Sequence, residues 1–311
     1  MKINNISSNK YIFIDFPIKG YLEGSSITEV SIRRPLSKPL RLLRKLPFFS
    51  RVISNTKERK GWLEECKGAN TIILFDTFAH YATYCYEIEN YVGKDVRLIL
   101  YLLNPAFFSE DYKKLSTRWE IWTFMKEDAL KYGFKYGATF YNPLLINCTR
   151  PKASPTCDLL FVGTDKGRKD FLLNLKKQLE KYNMVCDFKI VDNFKSLFSR
   201  TYSREVNYER LCQLNNNTSA ILDVVQEGQT GLTLRIMEGL LFDKKIVTTN
   251  LAIKSNEDFK DNPNIYILTK DNIKGLSTFL KKQTKKYPSK LKEKFSFETW
   301  LKRIDNNEEA E

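Results

Sequence analysis

Short unbroken apolar runs alternate along this chain with stretches in which apolar residues return every three or four positions. YIFIDF (11–16), TIILFDTF (71–78) and VRLILYLL (96–103) read as buried strands, each closed by turn or polar residues. Between the last two lies AHYATYCYEIENYVG, a helix stopped by Gly93. RWEIWTF (118–124) adds a weaker strand, and KEDALKYG a short helix closed by Gly133. The texture changes near position 140: NPLLINCTRPKASPTC holds three prolines and little periodicity, and reads as a linker. The alternation then resumes. DLLFVG, VCDFKIV, SAILDVV, KIVTT and NIYILT are strands; the segments around LLNLKKQLEK, NYERLCQLNN, GLTLRIMEGLLF and NIKGLSTFLKKQ are helices. This pattern predicts an α/β protein of two doubly wound parallel halves, 1–145 and 156–290, with a C-terminal helix and tail over 291–311. Two such halves facing each other leave a central cleft, a common place for a small-molecule site.

Composition narrows the choice. The chain has 311 residues, 51 Lys and Arg against 37 Asp and Glu, and a formal net charge of +14. That excess points to an anionic partner: nucleic acid, acidic lipid or a phosphorylated small molecule. The cysteines 66, 85, 148, 157, 186 and 212 form no C-x-x-C pair, and the chain has one histidine, which argues against a zinc site. Their scatter reads as six reduced thiols in a cytoplasmic protein. No run approaches the ~18 apolar residues of a membrane span, and the N-terminus has no signal-peptide core.

The densest chemistry lies in QEGQTGLTLRIMEGLLFDKKIVTTN (226–250). A glycine-containing turn follows a strand and leads into a helix. Free N–H groups at such a helix start, with the positive end of the dipole, suit a diphosphate. Gln229, Thr230, Gly231 and Leu232 form the entry, and Gly231, Arg235 and Glu238 fall on one face if the helix begins there. A half-exposed Glu238 would accept hydrogen bonds from vicinal ribose hydroxyls, with Arg235 neutralising phosphate or orienting it. The competing reading is a helix-surface ion pair at i, i+3, worth ~0.2–0.5 kcal/mol. A second turn, VGTDKGRK, places Gly163, Lys166 and Arg168 after the first strand of the second half. It serves either to project two cations at a leaving diphosphate or as a solvated basic loop. No D-x-D motif is present, which favours a reaction without a divalent metal.

LLFVGTDKGRKDFLLNLKKQLEK, SAILDVVQEGQTGLTLRIMEGLLFDKKIVTTN and WTFMKEDALKYGFKYGATFYNP together resemble bacterial glycosyltransferases of capsule, lipopolysaccharide and exopolysaccharide biosynthesis. The resemblance covers about 118–304 and is strongest over 219–250. It implies a GT-B fold, two Rossmann-like domains about a cleft, and a nucleotide-sugar donor, UDP-linked by preference. It places Glu238 on the ribose, Thr230 and Gly231 at the diphosphate, and the 163–168 loop at the donor phosphates. Better-known GT-B enzymes carry two glutamates eight residues apart; here Glu227 and Glu238 are eleven apart, so only Glu238 is carried over. The implied reaction moves a sugar to a saccharide, lipid-linked by expectation, without metal or other cofactor. The alternatives are a GT-B nucleotide-sugar epimerase and a non-catalytic nucleic-acid-binding protein; no motif supports nucleic acid.

Two further features bear on that reaction. SIRRPLSKPLRLLRKLPFFSRV (31–52) interleaves seven Lys and Arg with leucine and phenylalanine and has no acid. It suits an anionic membrane surface at the inner face of the cell membrane, or else a basic loop packing its leucines on the domain. An inverting reaction also needs a base in the first half. Asp76 follows a buried strand, His80 comes four residues later, and Asp15 ends YIFID. Asp76 as a simple cap of the next helix, through the amides of Thr77 and Phe78, is the bland alternative.

Overall fold

The computed structural model describes residues 9–18, 22, 25, 27–35, 56–77, 80–150 and 154–310. Most of the basic segment 31–52 lies outside them. The chain divides into two compact units: residues 1–124 with 128–136, and residues 125–127 with 137–311.

Unit 1 is built on a parallel sheet. Its strands are β1 (Tyr11–Ile14), β2 (Thr28–Val30), β5 (Thr71–Phe75), β6 (Arg97–Leu102), β7 (Trp119–Thr123) and β8 (Lys135–Tyr136), in the order β2-β1-β5-β6-β7-β8. A separate antiparallel pair joins β3 (Arg33–Pro35) to β4 (Thr56–Glu58). All five residues of β5 are buried, the mark of a parallel strand covered on both faces. Helix α1 (Tyr81–Tyr91) packs Tyr81, Tyr84, Cys85 and Ile88 into a core with Ile12, Ile72 and Leu100. Helix α2 (Lys126–Tyr132) follows β7.

Unit 2 carries five parallel strands: β9 (Cys157–Thr164), β10 (Cys186–Val191), β11 (Thr218–Asp223), β12 (Lys245–Thr248) and β13 (Ile265–Ile267). Their order is β10-β9-β11-β12-β13. Connections leave β9 in one direction and return at β11, so the topological switch point lies between those two strands, where open α/β sheets bind ligands. The helices are α3 (Lys169–Glu180), α4 (Tyr208–Asn216), α5 (Leu234–Leu241), α6 (Ile273–Lys281), α7 (Ser289–Lys294) and α8 (Phe297–Asn306). On α3 the buried residues are Leu172, Leu175 and Leu179, one stripe at helical spacing. Helix α5 is buried from Ile236 to Leu241. It lies so close to β12 that a Cβ on Gly239 would stand 2.3 Å from Ile246 Cγ1, which excludes any larger residue there.

Each unit thus has the parallel α/β form expected of it. One expectation fails. The cysteines are not six free thiols: Cys148 and Cys212 are joined, Cα–Cα 5.6 Å, tying the 3-10 turn Pro143–Cys148 to α4. Cys66, Cys85, Cys157 and Cys186 are free and buried. Nothing in the local spacing marks the pair, because its members are 64 residues apart and only the fold brings them together. Among the described residues no helix is long and apolar enough to cross a membrane.

Candidate functional site

The carboxyl edge of the unit 2 sheet is organised by Arg168. Asp165 to Arg168 form a tight turn in which Lys166 and Gly167 both have positive φ (44° and 80°) and the Arg168 amide donates to the Asp165 carbonyl at 2.8 Å. Gly167 suits that mirror-image turn, whereas Lys166 is held in a left-handed conformation that side chains of its kind rarely adopt. It brings the Arg168 guanidinium back over the strand ends, where it donates to the carbonyls of Thr164, Asp165 and Val224. The guanidinium therefore bridges the ends of β9 and β11 across the switch point. Gly163 makes room for it: a Cβ there would lie 3.5 Å from Arg168 Nη2 and 3.2 Å from Phe161 Cζ. Arg168 also sits 5.3 Å from the centre of the Phe161 ring.

This corrects two expectations. Arg168 does not project into solvent; partial burial lowers its pKa, with Asp223 and Asp165 opposing that effect. Gly163 is not part of an open turn but the penultimate residue of β9. Lys166 does remain exposed at the turn. Beside it, α3 begins with the Lys169 amide donating to Asp165 Oδ1 at 3.0 Å, while the amides of Asp170 and Phe171 make no hydrogen bond among the described residues. Two N–H groups and the dipole of a 12-residue helix are thus open beside two cations.

The stretch 226–238 is arranged differently from its sequence reading. Gln226–Gln229 is a turn, with the Gln229 amide on the Gln226 carbonyl at 3.1 Å. Thr230, Gly231 and Leu232 follow as loop rather than helix. Helix α5 starts at Leu234, and its N-cap is Thr233, whose Oγ1 accepts from the amides of Arg235 and Ile236. The free N–H groups expected at Thr230 and Gly231 are therefore not helical, and the two on α5 are already capped. The same Thr233 hydroxyl donates to Asp223 Oδ1 at 2.8 Å, and Thr248 Oγ1 donates to Oδ2 at 2.7 Å. Burial raises the pKa of Asp223, opposed by these two hydroxyls and by the charges of Arg235 and Arg168. The loop is held from both sides. Asn250 Nδ2 donates to the carbonyls of Thr230 (2.9 Å) and Gly231 (3.3 Å), Thr139 Oγ1 to that of Leu232 (2.6 Å), and Thr230 Oγ1 to Glu127.

Glu238 is 3% exposed rather than half exposed. One oxygen pairs with Arg235, the other accepts from Asn215 Nδ2 at 3.2 Å. Burial raises its pKa against those partners. Since α5 begins after Gly231, the one-face arrangement of Gly231, Arg235 and Glu238 does not form. The i, i+3 pair exists, but as a buried pair rather than a surface one.

In unit 1, Asp76 follows β5 directly. Its carboxylate accepts from the amides of Leu103 and Asn104 and from Asn104 Nδ2 (3.3 Å for both Asn104 donors). It does not cap α1; it ties the end of β5 to the exit of β6. Burial pushes its pKa up to about 7, against those hydrogen bonds. Asp76 lines a pocket of about 230 Å³ with Thr77, Tyr81, Asn104, Phe108 and Ser109. Burial also raises the Tyr81 phenol above its usual range. His80 is elsewhere: it is the N-cap of α1 at φ 64°, its side chain is 83% exposed, and its Nδ1 lies 3.9 Å from Asp111 Oδ2. Asp15, at φ 51° just after β1, accepts from the Ile32 amide at 3.3 Å and does not line the pocket. The structure thus gathers Asp76 with Tyr81 and Asn104, which sequence reasoning missed. Asn104 was legible only as a polar residue ending an apolar run. Among the described residues no cluster of three or more His, Cys, Asp or Glu could hold a metal ion.

No family model matches the chain, and no curated protein sequence does. Among solved structures it is similar to a DNA-modifying β-glucosyltransferase, described with and without its substrate uridine diphosphoglucose. The two are 10% identical over 96% of this chain and 94% of the other, with a TM-score of 0.44. At that depth of likeness, the other enzyme's chemistry says nothing about this chain.

Proposed function

We propose that the protein is a glycosyltransferase that takes its sugar from a nucleoside-diphosphate donor, UDP-linked by preference. The observation that carries this reading is the edge of unit 2. Arg168 spans the switch point, Lys166 stands exposed beside it, and the first turn of α3 leaves two N–H groups open. A diphosphate suits that combination of positive charge and open amides, and a cationic edge stabilises the charge that builds on a leaving diphosphate. The acceptor proposed with it is the one the sequence resemblance implies: a saccharide, lipid-linked, in surface polysaccharide synthesis, at the inner face of the membrane. The reaction proposed uses these cations in place of a divalent metal, and turnover is then expected to survive a chelator. Glu238 acts from behind the site in this reading, holding Arg235 and α5 in place.

The test is calorimetric titration of the full chain with UDP and with uridine. UDP is expected to bind at least ~10-fold more tightly, since charge-assisted hydrogen bonds contribute ~1.5–3 kcal/mol each. Arg168→Lys should keep part of that preference and Arg168→Ala should lose it. Equal affinity for UDP and uridine, or no binding of either, removes the basis of the proposal. Product analysis then separates sugar transfer from epimerisation.

A further inference from the structure

The loop after β10 carries its largest apolar side chains on the outside. Phe194 is 58% exposed, Leu197 45% and Phe198 78%, around a single 3-10 turn, Lys195–Leu197. Phe194 and Phe198 meet edge to face, ring centres 5.5 Å apart. This exposure does not come from a loosely held chain. The Asp192 amide donates to Ser203 O at 3.0 Å and the Ser203 amide to Ile190 O at 2.8 Å, closing the base of the loop. Asp192 Oδ1 accepts from the amides of Phe194 (3.0 Å) and Lys195 (2.9 Å), and the Glu205 amide donates to Asn193 Oδ1 at 2.8 Å. Tyr202 OH donates to Asp165 Oδ2 at 2.9 Å, fastening the loop to the turn that precedes Arg168. A well-bonded loop that points three large apolar groups outward has a surface to meet.

The charge around those groups identifies the surface. From 192 to 205 the chain has Lys195, Arg200 and Arg204 against Asp192 at the base of the loop and Glu205 at its end, and no acid lies between those two. Arg200 and Arg204 are exposed and enter no ion pair among the described residues; Lys195 reaches Asp192 at 3.4 Å and Asp165 at 3.8 Å. Phe194, Leu197 and Phe198 together form an exposed apolar knob. It fits a medium that closes around it, with anionic groups at the level of the arginines.

We infer that the knob formed by Phe194, Leu197 and Phe198 inserts into the interface of an anionic lipid bilayer, with Arg200 and Arg204 at the headgroups. The inference goes beyond the nucleotide reading and stands without it. It also rests on residues other than the basic segment 31–52. Because the knob leaves the same end of the sheet as the Arg168 turn, insertion holds the candidate donor edge beside the membrane.

The four tryptophans, Trp62, Trp119, Trp122 and Trp300, are all buried, so a tryptophan placed at 198 is a clean reporter. The full-length Phe198→Trp variant is mixed with vesicles of phosphatidylcholine alone or with added phosphatidylglycerol. The expected result is a blue shift and quenching by acyl-chain bromine with the anionic vesicles only. Arg200→Glu with Arg204→Glu should weaken vesicle binding about tenfold or more while UDP affinity stays unchanged. If the chain sediments with anionic vesicles but position 198 shows neither shift nor quenching, another segment binds and the inference is wrong. A response at 198 to UDP or to protein but not to lipid overturns it equally, as does absence of binding to any vesicle.

Discussion

The two units solve the same topological problem with opposite chemistry. In each, loops gather at the carboxyl ends of parallel strands next to the place where the chain reverses direction. In unit 2 that edge is cationic. Arg168 caps two strand ends, Lys166 stands beside it, and a buried Asp223 draws two threonine hydroxyls and the charge of Arg235 together. In unit 1 the edge is a carboxyl group that enters no ion pair among the described residues: Asp76 receives two backbone amides and an asparagine, and burial brings its proton within reach of neutral pH. The first arrangement suits an anion. The second suits a neutral ligand with hydroxyl groups, because it holds a group able to accept a proton near pH 7. The difference shows how one sheet architecture hosts unlike sites: the strands supply positions, and the first few residues after them supply the chemistry.

The largest effect expected lies behind the cationic edge. Glu238→Ala leaves Arg235 without its carboxylate in a nearly closed environment, and breaking one side of a buried pair costs ~3–5 kcal/mol. Arg235 Nη1 already lacks a hydrogen-bond partner, so no neighbour is in place to take over. Chemical denaturation of wild type and variant measures the loss. A double substitution, Glu238→Met with Arg235→Met, should recover most of it, since it removes both charges and keeps the volume. A single variant as stable as wild type would show that the pair is open to solvent, and would restore the half-exposed ribose contact suggested by the sequence.

A smaller effect, dependent on pH, comes from unit 1. Asp76 titrates near 3.8 in the unfolded chain and near about 7 when folded. Between those values the folded state holds a proton that the unfolded state has lost. Stability therefore falls as pH rises from about 4 to about 7, and is level above that. At ~1.36 kcal/mol for each unit, the full swing is on the order of 4 kcal/mol. Asp76→Asn removes the titrating group. The stability of the variant minus that of wild type should grow across this interval and then plateau. A difference that is flat with pH, or that shrinks, contradicts a raised pKa and returns Asp76 to the role of an ordinary ionised tie between β5 and the exit of β6.

What the sequence shows of all this depends on how local each feature is. The long inner strands are legible because burial on both faces demands unbroken apolar runs, as in TIILF and RLILYL. The strands β2, β3, β4 and β8 have two or three residues each, too few for any period to stand out. The start of α5 is misplaced because its N-cap, Thr233, sits inside the apolar run LTLRIM, whereas Thr230 and Gly231 look like an entry and form loop. The surroundings of the site are less legible still. Glu238 is closed over by Asn215, 23 residues earlier, and Arg168 is held by the carbonyl of Val224, 56 residues later. Candidate residue types and their place after strands are visible in one dimension; whether a charge faces a ligand or a neighbour is not.

The smallest effect expected is at His80, and it sharpens the unit 1 half of the comparison. As the only histidine, it looks suited to proton transfer near neutral pH. The structure gives that role no support in geometry. Its side chain is 83% exposed, 3.9 Å separates Nδ1 from Asp111 Oδ2, and the pocket that Asp76 lines does not include it. Its backbone carries the more definite role, turning the chain at φ 64° into α1. A surface side chain with one long contact contributes within ~0.5 kcal/mol. His80→Ala should therefore unfold at nearly the wild-type midpoint and transfer sugar within about twofold of the wild-type rate, whereas loss of a general base lowers rate by ~100-fold or more. Asp76→Asn, assayed at saturating donor, is the partner experiment. A large loss there with donor binding intact, and none for His80→Ala, makes Asp76 the group that takes the proton. The reverse pattern transfers the role to His80 and requires the loop before α1 to bring that side chain to the acceptor.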